Sequence, residues 1–207
     1  ITEDIITDLS NVSGLFVLSR NTVFTWKGRS ENLQRIAREL GVAYVVEGSV
    51  RKAGNHLRIN AELIDAASDG HVWAARYDRD LTDIFEVQDE ITKAIVEQLR
   101  VKLLPEEKEA IEQAPTESVE AYTHFLRGRE YYHIASRSNH LMARQSFARA
   151  IELDPNYARA YAGIAVCDAR LRSQFGAEIP VEAILANTAT ALVIDPNLAE
   201  AHAAKGF

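Results

Sequence analysis

The spacing of apolar residues changes about halfway along the chain. Between residues 1 and 104, helical and strand periods alternate. Ile5, Ile6, Leu9 and Val12 recur at helical spacing, with Thr2 placed to cap the helix, Glu3 and Asp4 in its first turn and Gly14 to stop it. "LFVLS" (15–19) predicts a short apolar strand. Ser30 is placed to cap a second helix, where Leu33, Ile36, Ala37 and Leu40 share a face and Gly41 ends the run. "AYVVEGSVRK" (43–52) and "HLRINAELID" (56–65) predict a hairpin turning at Gly54-Asn55. Leu57, Ile59, Ala61 and Leu63 point one way and Arg58, Asn60 and Glu62 the other, as in a sheet with one buried face. "HVWAARYD" (71–78) predicts a third strand, with His71 and Trp73 on one face and Tyr77 further along. From about Thr82 to Leu104, a stripe of Ile84, Val87, Ile91, Ala94, Ile95, Leu99 and Val101 predicts a long helix that Pro105 ends. The order α-β-α-β-β-β-α predicts an α+β domain, a mixed α/β layer, over residues 1–104.

Residues 105–118, "PEEKEAIEQAPTES", are charged and carry two prolines, which predicts a linker with room for a short helix. Residues 119–207 show no strand period. Ala, Leu and Ile fall at helical spacing, and "IELDPNYARAY" (151–161) returns as "VIDPNLAEAH" (193–202), with Pro155 and Pro196 41 residues apart.

Charge and composition narrow the function. The net charge is −7, with 14 Lys/Arg against 20 Asp/Glu in residues 1–114 and 9 against 10 in residues 115–207. An acidic chain of this kind does not suit non-specific nucleic-acid binding. Its apolar runs fall short of a membrane span, so neither nucleic acid nor membrane is an expected partner. Cys167 is the only cysteine, which excludes an internal disulfide and a cysteine metal cage. A cytoplasmic location is expected. The chain opens without Met and stops within a helical pattern, as a piece of a longer protein would.

The recurrence resembles the tetratricopeptide repeat. Gly128, Tyr131, Ala143, Phe147, Ala150 and Pro155 fill that repeat's small, aromatic, alanine and proline positions, with three extra residues in the "ASRSNH" turn. The second unit departs more. Asp168 stands where an aromatic is usual, Thr188 where Phe is, and about seven residues are added around "SQFGAEIP". A third unit begins at Ala199. This predicts all-α helical hairpins over residues 119–207. The first half, above all "YVVEGSVRK" and "GHVWAARYDRDL", resembles the TolB-amino-terminal-like (FlgO-like) domain. Such domains precede tetratricopeptide arrays in bacterial signalling proteins, many of which carry an adenylate/guanylate cyclase or winged-helix domain elsewhere. That family has a strand ahead of the first helix which this chain lacks, so a strand position beside 15–19 is expected to be vacant or filled by another chain.

No Gly-rich phosphate loop, G-x-S-x-G or H-E-x-x-H is present. The resemblance assigns no part of the chain to a catalytic domain, and no cofactor or metal is expected. It implies a partner-binding concave face at Tyr122, Phe125, Arg129, Tyr132, Arg159 and Val166, with Arg170 adjacent. The arginines suit a protein or peptide partner that is acidic or ends in a carboxylate. Self-association into a homodimer is a further expectation. Ser19, Arg20 and Asn21 follow a predicted strand end, and with Glu47 and Arg51 they outline a candidate polar pocket for a small ligand. Turn capping and surface ion pairs explain the same residues. His71, Trp73 and Tyr77 suit sheet packing better than an aromatic binding surface.

Overall fold

A two-residue turn sets the register of the single sheet found among the described residues. The computed structural model of the chain describes residues 1–26, Gly28 and residues 32–206. Strand β1 (Tyr44–Ala53) pairs antiparallel with β2 (His56–Asp65), and β2 pairs antiparallel with β3 (Gly70–Asp80). Ala53 faces His56 across the turn, and Gly54 has a φ of 62° while Asn55 does not have positive φ. Positive φ at the first turn position alone is the type II′ pattern, which suits glycine there. Leu57, Ile59, Ala61 and Leu63 are buried, as their alternation predicts.

The chain divides into two compact units, Ile1–Ala114 and Pro115–Phe207, and its overall class is α+β. In the first unit, α1 (Thr2–Ser10), α2 (Arg20–Phe24) and α3 (Leu33–Leu40) precede the sheet. A 3-10 turn at Leu81–Asp83 leads into α4 (Ile84–Gln98), and α5 (Pro105–Glu112) follows. The core forms where Ile5 and Leu9 of α1, the buried face of β2, and Ile84, Val87, Ile91 and Ile95 of α4 lose contact with water. Asp4 is buried on α1 and accepts a hydrogen bond from Gln88 Nε2 of α4 at 3.2 Å.

Five expectations are corrected here. Residues 15–19 form no strand: no strand pairs with them among the described residues, and Phe16 is 90% exposed. Ile1, not Thr2, is the cap of α1. Ser30 lies outside the described residues; α3 is capped by Asn32, whose side chain accepts from the Arg35 backbone N–H at 3.1 Å. The long helix stops at Gln98, because Arg100 takes a left-handed φ of 56° and Val101 N–H donates back to Val96 at 3.2 Å, a helix-ending pattern. Val101 is thereby free to fill the space opposite Gly14, where a Cβ would come within 2.6 Å of Val101 Cγ1. The short helix expected within residues 105–118 forms at Pro105–Glu112, but it belongs to the first unit rather than to a linker. Glu107 accepts from Leu104 N–H at 2.8 Å and Ser13 N–H at 2.7 Å, and Ile111 is buried.

The second unit holds α6 (Val119–Tyr132), α7 (Arg137–Leu153), α8 (Ala158–Phe175), α9 (Val181–Ile194) and α10 (Ala199–Lys205), with neighbours in sequence packed on one another. The recurring Asp-Pro-Asn makes the same hydrogen bonds twice. Asp154 N–H closes the end of α7 onto Ala150 at 2.9 Å, and Asp195 N–H closes α9 onto Ala191 at 2.8 Å. Each aspartate then accepts from the asparagine N–H two residues on, Asn156 at 2.9 Å and Asn197 at 3.0 Å. The next residue, Tyr157 or Leu198, is buried and starts the following helix.

Phe147 of α7 fits between two glycines. A Cβ on Gly128 of α6 would lie 2.6 Å from its ring, and one on Gly163 of α8 would lie 2.8 Å away. Gly128→Ala or Gly163→Ala is expected to lower stability by about 1–3 kcal/mol, because the overpacking outweighs alanine's better helix propensity. Urea unfolding checks this; an unchanged or raised midpoint would contradict it.

Glu107 supplies a pH test. The backbone N–H of Leu104, then that of Ser13, holds its carboxyl below the ordinary glutamate value. A depressed folded pKa gives stability that is full above the unfolded value and lost as pH falls through the folded one. The stability gap between the parent and Glu107→Gln is therefore expected to be widest near neutral pH and to close in acid. Denaturant midpoints at several pH values measure it, and a gap independent of pH would count against this role.

Candidate functional site

Aromatic rings in the second unit support a group of arginines. Phe125 of α6 has its ring centroid 5.5 Å from Phe147 and 5.0 Å from Tyr157. Arg129, one turn beyond Phe125, sets its guanidinium 5.6 Å from the Phe125 ring centroid, within cation–π range. Burial lowers the Arg129 pKa; Glu200 of α10 pushes it back up, Arg159 of α8 pushes it down and Tyr157 pushes it up. Two guanidiniums and one carboxylate, carried on three different helices, thus influence one another at a partly desolvated spot. Further along, Arg170 donates from Nε to the Tyr132 hydroxyl at 3.1 Å and lies 5.8 Å from that ring's centroid. Tyr132 in turn meets His140 edge-on at 5.4 Å.

The predicted concave-face residues separate into two groups. Arg129, Tyr132, Arg159 and Arg170 are half-buried and keep some surface. Tyr122 is 1% exposed and Phe125 4%, so these two are core and offer no surface to a partner. The reason is that Ala121, Tyr122, Phe125 and Gly128 form the buried stripe of α6. Val166 is partly buried against Ala165, Ala169, Ile184 and Ala204.

The five-residue pocket in the first unit does not assemble. Arg20 is already engaged, with Nε 2.5 Å from Glu3 Oε1 and its guanidinium 4.1 Å from the Phe24 ring centroid. Burial lowers its pKa. The Ser19 hydroxyl meets Thr22 Oγ1 at 3.1 Å and Asn21 is exposed. Glu47 and Arg51 are exposed on β1, and their separation of four strand residues spaces them by about 13 Å, too far for one small ligand to bridge easily.

His71 and Trp73 are also separated. Leu63 pairs with Trp73 but Ile64 with His71, so a bulge at Val72 turns the histidine to the opposite face. There its Nδ1 lies 3.2 Å from Glu62 Oε2. Trp73 and Tyr77 stay half-buried on the face that carries Leu63 and Ile59.

One buried interaction of the second unit belongs to no sequence motif. Arg144 of α7 donates from Nε to Asp168 Oδ1 of α8 at 2.6 Å, and Asp168 is 1% exposed. The signal was present, because Asp168 occupies a position where the repeat resemblance expects an aromatic. Cys167 is buried, and that burial, followed by the charge of Asp168, pushes its thiol up to about 12. It is therefore a packing residue rather than a nucleophile. Among the described residues, no group of three or more His, Cys, Asp or Glu could hold a metal ion, and no helix is long and apolar enough to cross a membrane.

The chain is 49% identical over 166 residues, 80% of its length, to a protein of Rhizobium meliloti (strain 1021) named "Putative adenylate cyclase 3". That match covers 28% of the relative's length. No protein-family model matches the chain.

Proposed function

We propose that this chain is a non-catalytic binding segment of a bacterial signalling protein. In this reading, residues 119–207 are tetratricopeptide-type helices that hold an acidic protein or peptide partner, and residues 1–104 are a TolB-like α+β domain attached to them. The observation that carries the reading is the half-buried Arg129 guanidinium 5.6 Å from the Phe125 ring centroid, within electrostatic reach of Arg159 and Glu200. The spot is partly dry, and there a carboxylate on a partner interacts with a guanidinium more strongly than it would in water. Half-buried Tyr132 and Arg170 extend the same kind of surface, an aromatic with a guanidinium stacked on it. Aromatic and arginine residues of this kind dominate binding energy at protein interfaces.

The name of the relative favours a second, compatible reading. The chain would be the regulatory portion of a nucleotide cyclase, with cyclisation performed by residues outside it. Both readings leave this chain without catalysis of its own. Incubated with ATP and a divalent cation, it is expected to release no cyclic AMP, and cyclic AMP formed by the purified chain would contradict the assignment.

The partner face is tested by calorimetric titration with a hexaglutamate peptide. The parent chain is expected to bind it with an affinity that falls as salt is raised. Arg159→Ala is expected to weaken binding about tenfold, the cost of one charge-assisted contact. Equal affinities for parent and variant would remove the arginine face from the account.

A further inference from the structure

Two departures from the repeat pattern, the aspartate at 168 and the added residues around "SQFGAEIP", meet at one cleft. Its volume is about 610 Å³, within the range of small-molecule sites. Arg137, Leu141 and Arg144 enter it from α7, Leu171 from α8, and Glu178 and Ile179 from the added loop. Spacings of four and three residues place the first three on one face of α7.

The loop is held in place. Gly176 takes the left-handed φ of 63° that ends α8, Ala177 N–H donates to the Leu171 carbonyl at 3.0 Å, and Arg172 Nη1 donates to the Ile179 carbonyl at 2.7 Å. Leu171, 1% exposed, forms the apolar floor beside Leu141 and Ile179.

The charges are arranged for a ligand. Asp168 takes the Nε of Arg144 and so fixes its guanidinium, while no bond to the terminal nitrogens is present among the described residues. Arg137 and Glu178 make no hydrogen bond or ion pair among the described residues either. With Asp168 behind Arg144, the cleft carries two positive and two negative groups. A phosphate would meet Glu178 with no net charge to offset the repulsion. A molecule that is itself neutral overall, with a carboxylate for the arginines, an ammonium for Glu178 and an aliphatic chain for the leucines, matches every group present.

We propose that this cleft binds a free apolar α-amino acid of the leucine type. Arg137 and the Nη groups of Arg144 take the carboxylate, Glu178 takes the ammonium, and Leu141 and Ile179 take the side chain, with buried Leu171 packed beneath them. The proposal is independent of the acidic-partner face at Arg129 and Arg159.

Calorimetric titration of the whole chain tests it, with L-leucine, isovalerate (no amine) and isoamylamine (no carboxylate) as probes. L-leucine is expected to bind saturably and each single-headed analogue about tenfold more weakly or worse. Arg137→Ala and Glu178→Gln, at exposed positions without partners among the described residues, are expected to keep the parent's melting curve and to lose leucine binding by a similar factor. Arg159→Ala is expected to bind leucine as the parent does, which separates this site from the partner face. Absence of saturable leucine binding at millimolar concentrations would overturn the proposal. Equal binding of leucine and either analogue, or unchanged binding by both cleft variants, would overturn it as well.

Discussion

The helical unit depends on one tight fit, the Phe147 ring held between Gly128 and Gly163. Any side chain at either glycine would put a carbon atom under 3 Å from the ring. Because neither has one, α6 and α8 can approach α7 from two sides at once. The same approach brings Phe125 within 5.5 Å of Phe147 and within 5.0 Å of Tyr157. Arg129 rests on Phe125, and Arg159 follows two residues after Tyr157. The distance at which the two guanidiniums influence each other is thus set by packing below them. A site built this way is preorganised: bringing like charges together is unfavourable, and the core opposes their separation.

The loop after α8 shows how one departure from a resembled pattern changes the local chemistry. In the tetratricopeptide pattern that residues 119–207 resemble, an aromatic that fills the space between helices is usual at position 168. Here a carboxylate occupies it and must be compensated, since a buried charge without a partner is costly. Arg144 supplies that compensation and is fixed as a result. The added residues then close over the same place, adding Glu178 and an apolar wall.

Much of the architecture was legible from residue pattern. The hairpin at Gly54-Asn55, the buried face of β2 and the stop at Gly41 follow from local rules that tertiary packing did not override. The Asp-Pro-Asn recurrence was legible because its hydrogen bonds are local. The misreadings have non-local causes. "LFVLS" has strand composition, but a strand also needs a neighbour to take its backbone groups. One extra residue at Val72 sent His71 to the other face, which period-2 counting cannot see. Tyr122 and Phe125 share a helical spacing with Arg129 and Tyr132, yet a stripe of that width crosses from core to surface. The pairing of Arg144 with Asp168 joins residues 24 apart on different helices, and only the fold brings them together.

The central claim is that the arginine face of the second unit is where an acidic partner lands. Amide NMR shift mapping during titration with a hexaglutamate peptide tests it most directly. The account predicts perturbations concentrated on α6, the start of α8 and α10, around Arg129, Arg159 and Glu200. Shifts confined to the strands and helices of the first unit, or no saturable shifts in the second, would contradict it.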